Sequence, residues 1–278
     1  MQTNEQLLSV IENYLAQTEL PAEPELLYAP IGYSLSGGGK RLRPMLVMLS
    51  CGIFSDDALQ ALPAAAAVEM FHNFTLLHDD IMDNAAVRRG KPSVFARWGQ
   101  NVAILSGDAM MISSYRLLSG VPPRLLPQIL ATFNEMALEV CEGQQYDMDF
   151  ELKSKVSVVD YMHMIELKTS ALLSGAVAIG GDILEGKKTY LMVTAMSRAD
   201  ESTREVLRRT YRDERLTNAE KIAAVKRIYD RLDVRHLTEQ QISLRFDRAL
   251  AVLGSLSVDP ARTLRMREYA ESLVDRKK

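Results

Sequence analysis

The sequence is poor in the features that hold a protein together from outside its core. It has two cysteines, Cys51 and Cys141, and neither has a Cys or His at metal-ligand spacing. That argues against a disulfide framework and a thiolate metal site. Both thiols read as buried and reduced, which fits a cytoplasmic protein. No apolar run reaches 18 residues, so no membrane span is expected. The longest stretch, Ala61–Phe71, is broken by Pro63 and Glu69. The start, MQTNEQLLSVIENYL, lacks the basic opening and apolar centre of a signal peptide. Net charge is only −3, too small for a bulk field that would draw in nucleic acid. Alternating β-branched runs are almost absent, which argues against a sheet. There is no apparent Ser-His-Asp set and no activated cysteine.

What is present is helical period. The chain has 278 residues and is 47% apolar, enough to bury the core of one large domain. Leu7, Ile11 and Leu15 recur at i, i+4, i+8, and Ile129, Phe133, Met136, Ala137 and Val140 follow the same spacing. Prolines fall at helix starts or in loops: 21, 24, 30, 92, 122, 123, 127 and 260. The pattern predicts about ten helices, roughly 3–18, 24–36, 41–53, 60–85, 100–118, 124–152, 157–178 and 188–197, with 201–231 and 235–275 each in two pieces. From Asp200 onward Arg, Asp and Glu dominate, as on solvated amphipathic helices closing a bundle. The expected fold is all-α, a single antiparallel bundle over 1–278 with sites built between helices.

One segment carries chemistry. In His78-Asp79-Asp80-Ile81-Met82-Asp83, Asp79 and Asp83 are i, i+4 neighbours on a helix, and Asp80 and Asp83 are i, i+3. Like charges at that spacing repel and need compensation. A hard divalent cation supplies it, and magnesium typically takes one or two carboxylates plus substrate phosphates. A solvated helix end explains a bare DDxxD about equally well, so the neighbours decide. Five residues on come Arg88-Arg89-Gly90-Lys91-Pro92, and upstream lie Gly37-Gly38-Gly39-Lys40-Arg41-Leu42-Arg43-Pro44. Guanidinium groups match phosphate oxygens, and glycines allow close backbone approach. The glycine loop is not a Walker A motif, since its spacing is wrong and no strand precedes it. Lys168-Thr169 and Gly186-Lys187-Lys188-Thr189 add two further cationic points. A lysine amid apolar neighbours often only snorkels, and that reading of Lys168 holds about half the weight. Acids for metal and separate cations for phosphate suit two anionic substrates.

Six ordered segments carry a family resemblance: GGGKRLRP, LLHDDIMDNAAVRRGKPS, LSGDAM, EGQQYDMD, IELKTSALL and GGDILEGKKTYL. Together they resemble the trans-isoprenyl diphosphate synthases, or polyprenyl synthetases, from about residue 30 to residue 200. The resemblance implies an all-α fold around a deep apolar cavity. It implies Mg²⁺-dependent head-to-tail condensation of isopentenyl diphosphate with an allylic diphosphate (dimethylallyl, geranyl or farnesyl), by a homodimer. By position, Asp79 and Asp83 would bind Mg²⁺, with Asp80 in support. Arg88 and Lys187 would contact the allylic diphosphate. Lys40, Arg43, His72 and Arg89 would hold isopentenyl diphosphate. Lys168 and Thr169 would stabilise the allylic cation, and Gln144 and Asp147 would line the site. Phe74, five residues before Asp79 and about 7.5 Å along the axis at ~1.5 Å per residue, would floor the cavity, with Thr75 small beside it and Phe71 one turn deeper. A short product follows, C15 to C20, leaning to C20.

The sequence departs from the family in one place. The second aspartate-rich motif, FQxxDDxxD, should lie between Lys168-Thr169 and Lys187, yet Ala171–Gly180 runs straight into Gly181-Asp182. The family pattern resumes in register at Gly181, as it would around an omitted flap. A genuine deletion removes half the metal site and should nearly abolish turnover. Two rivals follow: a non-catalytic synthase-like partner subunit, and an HD-type metal phosphohydrolase suggested by His72, His78 and Asp79. The second lacks ligands, since only His163 and His236 remain, neither in a suitable acidic context.

Overall fold

The computed structural model describes residues 2–153, 155–172, 195, 197–212 and 215–274. The described chain is all-α apart from one two-stranded ribbon. It falls into two compact units, Met1–Phe133 with Leu253–Lys278, and Asn134–Val252. No helix among the described residues is long and apolar enough to cross a membrane.

In the first unit, α1 (Asn4–Ala16) begins with a capping box between Thr3 and Gln6 and buries the predicted stripe Leu7, Ile11 and Leu15. That stripe packs on Met45, Met48 and Leu49 of α3 (Leu42–Phe54), on Ala65 and Ala66 of α4 (Leu62–Met82), and on Tyr269 of the C-terminal helix, Pro260–Val274. α2 (Glu25–Ser36) contributes Ile31 and Leu35 to a second cluster with Met70, Leu77, Ala103 and Met110. α4 carries Pro63 in its first turn, where a missing N–H costs nothing, and buries Ala64 to Ala67. It packs closely on α6 (Gln100–Leu118), because Gly107 of α6 leaves room for a side chain of α4: a Cβ there would lie 2.4 Å from His78 Nε2.

Between α4 and α6 lie two elements that periodicity did not predict. Val87–Arg88 and Lys91–Pro92 pair antiparallel around Arg89-Gly90. Both turn residues have positive φ, +52° and +76°, as a type I′ hairpin turn requires. The short α5 (Val94–Trp98) starts on Ser93, whose hydroxyl accepts from Ala96 N, and stops at Gly99, φ +84°. Five residues are too few for a helical stripe to register.

α7 (Leu126–Leu152) enters the second unit from Asn134 onward. There α8 (Val158–Ile165) begins with a Ser157–Asp160 capping box and runs into a π-turn, Glu166–Ser170. Phe150, Tyr161 and Met164 form a small cluster. Then come α9 (Glu201–Arg212), α10 (Asn218–Arg231), α11 (Val234–Gly254) and, back in the first unit, α12 (Pro260–Val274). Leu207, Val225, Ile228, Tyr229 and Val234 bury one another. The predicted helix 188–197 falls mostly outside the described residues. Cys51 is half-buried, but Cys141 is exposed on α7, which corrects the reading of both thiols as buried. The i, i+4 pattern around it places its neighbour Val140 inward instead.

Candidate active site

α4 delivers the acids. Asp79 and Asp80 lie in its last turn, and Asp83 caps it, its N–H donating to the Asp79 carbonyl at 2.8 Å. One turn of helix thus sets Asp79 and Asp83 above one another. Asp80 turns the other way. It is buried, and its Oδ1 accepts from Arg88 Nε at 2.9 Å and Nη2 at 2.5 Å. Arg88 reaches it because the hairpin folds back beside the end of α4, with Ser93 donating to the Ala85 carbonyl at 2.6 Å. So the three aspartates do not converge as one ligand group, and no set of three metal-ligating side chains occurs among the described residues. The donors that fit a hard cation here are Asp79 and Asp83, two carboxylates whose remaining partners would be phosphate and water.

The glycine-rich loop supplies the cations. Gly38 and Gly39 have φ +71° and +138°, and Arg41 takes φ +45°. A non-glycine residue in that region is strained, typically by about 1–3 kcal/mol, and needs contacts that hold it. Arg41 has them. Its Nη1 donates to Glu69 Oε1 at 2.7 Å, and its Nη2 to the Leu35 carbonyl at 2.7 Å, both buried. Glu69 also accepts from Asn73 Nδ2 at 3.3 Å. Next to this pair, Arg43 Nη1 lies 3.0 Å from His72 Nε2, so Arg43 donates and the imidazole accepts. Arg89, in the hairpin turn, donates to the Gly38 carbonyl. A side chain at Gly39 would lie 3.1 Å from its guanidinium.

The electrostatics follow from that crowding. Burial, then Arg43, Arg89, Arg88 and Arg41, hold His72 well below the ordinary imidazole range, so it stays neutral. Burial brings Arg43 down to about 10, against the opposing pull of Glu69 and with Arg89 adding to the fall. Arg89 is lowered as well, by burial first, with Glu69 opposing and Arg41 and Arg88 adding. Among the described residues His72 Nδ1 and Arg43 Nε are buried without a hydrogen-bond partner. A neutral acceptor ringed by guanidinium groups around one buried carboxylate is a surface suited to a multiply charged anion. Lys40 stands exposed at its edge.

In the second unit, Lys168 lies in the π-turn and Gln144 and Asp147 on α7. Lys168 Nζ meets Asp147 Oδ2 at 2.6 Å, with side chains 17% and 13% exposed, so this lysine is paired and does not snorkel. Thr169 follows it in the π-turn. Lys187 lies outside the described residues. Below the acids, Phe74 packs on His78 with ring centroids 4.7 Å apart and on Phe71 at 5.3 Å. Phe71 meets Phe133 at 5.3 Å, and Phe133 meets Tyr115 at 5.4 Å. The Thr75 hydroxyl donates back to the His72 carbonyl at 2.8 Å. Glu69, Tyr115 and Phe133 are parts of this neighbourhood that the sequence motifs do not mark. For Glu69 the signal was there: a lone carboxylate in an apolar helix must have a buried partner. A further cavity of about 370 Å³ lies among α1, α3 and α12 and is lined by none of the predicted site residues.

The polyprenyl synthetase family model matches residues 24–181, more than half of the chain. The chain belongs to the polyprenyl synthetase family. Among its relatives, the geranylgeranyl diphosphate synthase of Methanosarcina mazei is 44% identical over 160 residues, 56% of this chain and 49% of that protein. The short chain isoprenyl diphosphate synthase of Methanothermobacter thermautotrophicus is 32% identical over 231 positions, 66% of this chain and 71% of that protein. A crystal structure of a geranylgeranyl pyrophosphate synthase superposes with a TM-score of 0.88 at 32% identity, covering all of both chains. That from Pyrococcus horikoshii gives 0.87 at 26%, covering 99% of this chain and 97% of the other. The all-α fold expected from the sequence is therefore that of the isoprenyl diphosphate synthases. The chain spans about half the length of the first curated relatives it matches, 49% and 47%.

Proposed function

We propose that this polyprenyl synthetase condenses isopentenyl diphosphate head-to-tail with an allylic diphosphate, giving a short trans-prenyl diphosphate of C15 to C20, with C20 favoured. The observation that carries the reading is the cationic pocket beside the acids. Arg43, Arg89 and neutral His72 surround buried Glu69, a few turns along α4 from Asp79 and Asp83. Isopentenyl diphosphate is held there by Lys40, Arg43, His72 and Arg89. The allylic diphosphate is held at Asp79 and Asp83, with Arg88 steadied by Asp80 and Lys187 assigned from the family pattern. Magnesium, when bound, neutralises the departing diphosphate. Lys168 and Thr169 stabilise the allylic cation, and Gln144 and Asp147 on α7 line the site.

The second aspartate-rich segment has no counterpart in this chain. Asp79 and Asp83 would then be the carboxylates left to hold a metal, and turnover would fall far below that of a chain with both motifs. Residues 1–278 are taken as a single polyprenyl synthetase domain. A second copy of the chain pairs through α6, where Leu105 and Ile112, seven residues apart, are 60% and 66% exposed. The unpaired thiols Cys51 and Cys141 suit the cytoplasm.

Incubation with isopentenyl diphosphate, Mg²⁺ and dimethylallyl, geranyl or farnesyl diphosphate, followed by product-length analysis, tests this. The expected product is C20, absent without Mg²⁺. Binding of both diphosphates without any product would assign the chain to a non-catalytic partner role instead.

A further inference from the structure

The segment that carries Lys168 is not an ordinary helix. Residues Glu166–Ser170 form a π-turn, closed by the Ala171 N–H donating to the Glu166 carbonyl at 2.8 Å, five residues back. Such turns are rare and cost regular hydrogen bonding, so something must hold them. The neighbouring helix does so at two points. Gly143 of α7 lies against the turn's backbone: a Cβ built on it would sit 2.2 Å from Lys168 N, 2.5 Å from Lys168 Cα and 2.7 Å from Leu167 C. No flexible side chain gives way there, because every one of these atoms is backbone. Four residues on, and so on the same face of α7, Asp147 takes the Lys168 ammonium at 2.6 Å. Glycine admits the backbone and aspartate fixes the side chain.

We propose that Gly143 is a positioning residue for Lys168, because its missing side chain lets the π-turn seat on α7 and aims the lysine. This rests on the prenyltransferase reading for its consequence, though not for its geometry. Any side chain at 143 must push the two backbones apart by more than an ångström to reach ordinary contact. The turn then loses its seat. If it relaxes by one residue toward regular helix, Lys168 swings by about 100° around the axis. A misplacement of about 1 Å at a reacting centre can cost on the order of 100-fold in rate.

The test is Gly143→Ala in the full chain. The condensation kcat should fall about 100-fold. KM for isopentenyl diphosphate should stay within about twofold, since uniform binding is untouched. A second readout is independent of catalysis: the rate at which an amine-acylating reagent modifies Lys168, followed by peptide mass spectrometry. In the unsubstituted chain Lys168 should react slowly, and in Gly143→Ala about tenfold faster as it leaves Asp147. A wild-type acylation rate in the variant overturns the proposal, and so does a wild-type kcat. If the unsubstituted chain makes no product, the functional reading fails while the acylation comparison still judges Gly143. Should Gly143→Ala fail to fold, deletion of Ser170 in that background removes the extra residue of the turn. The double variant should then fold with Lys168 fast-reacting; a double variant that stays unfolded overturns the proposal.

Discussion

Phe74→Ala is expected to lengthen the product by about one C5 unit while leaving the protein folded. Phe74 lies five residues before Asp79, about 7.5 Å along α4, and Phe71 lies eight before it, about 12 Å, at ~1.5 Å per residue. Removing the first ring opens roughly one helical turn. The next layer is already built, because Phe71 meets Phe133 and Phe133 meets Tyr115 at ring distances of 5.3 and 5.4 Å. Growth should therefore stop again one unit later instead of running on. A fully buried Phe→Ala change costs about 3–5 kcal/mol. Phe74 is half-buried and touches Phe71 and His78, so about 2 kcal/mol is the expected loss. That is a fraction of the 5–15 kcal/mol typical of a domain, and it should lower Tm by roughly 4–8 °C. The assay is chromatography of dephosphorylated products from both proteins with the same primer, beside a melting curve. A folded variant with an unchanged product distribution would refute the floor assignment. A ladder of much longer products would refute the second layer.

The remaining expectations separate roles that look alike in sequence. Asp79→Asn should reduce Mg²⁺-dependent turnover by about 10³-fold. Asp80→Asn should instead cost about 2 kcal/mol in denaturant unfolding, as it deprives half-exposed Arg88 of a buried carboxylate. Glu69→Ala leaves Arg41 buried and unpaired and should cost about 3–5 kcal/mol, the largest loss of the set. His72 is held below its unfolded value, so below about pH 6.5 the unfolded chain binds a proton that the folded one refuses. Stability should therefore fall with pH from about 6.5 downward, by about 1 kcal/mol per unit. The His72→Gln variant should lack that slope in pH-resolved unfolding.

Sequence and structure agree where one period persists for several turns. Leu7, Ile11 and Leu15 form the buried stripe of α1, and α4 and α6 keep the predicted bounds within a few residues. The acids, the glycine loop and the paired arginines were legible because unlike residue types crowd into a few positions. What escaped is non-local or too short. The Arg41–Glu69 pair joins residues 28 apart, and spacing alone does not show that the only carboxylate in an apolar run faces an arginine in a left-handed turn. Asp80 reads like Asp79 in sequence, and only the hairpin that carries Arg88 back distinguishes them. The π-turn at Lys168 breaks helical period over five residues and looks like continuous helix in the sequence. Gly143 reads as a weak point in α7 until its neighbour's backbone is placed beside it.

Release of inorganic diphosphate, followed continuously with and without isopentenyl diphosphate and with and without Mg²⁺, tests the central claim most directly. With a geranyl or farnesyl primer present, release is expected only when both are supplied, one diphosphate for each carbon–carbon bond formed. Release that does not need isopentenyl diphosphate would make the protein a hydrolase of allylic diphosphates, and no release at all would contradict the synthase account.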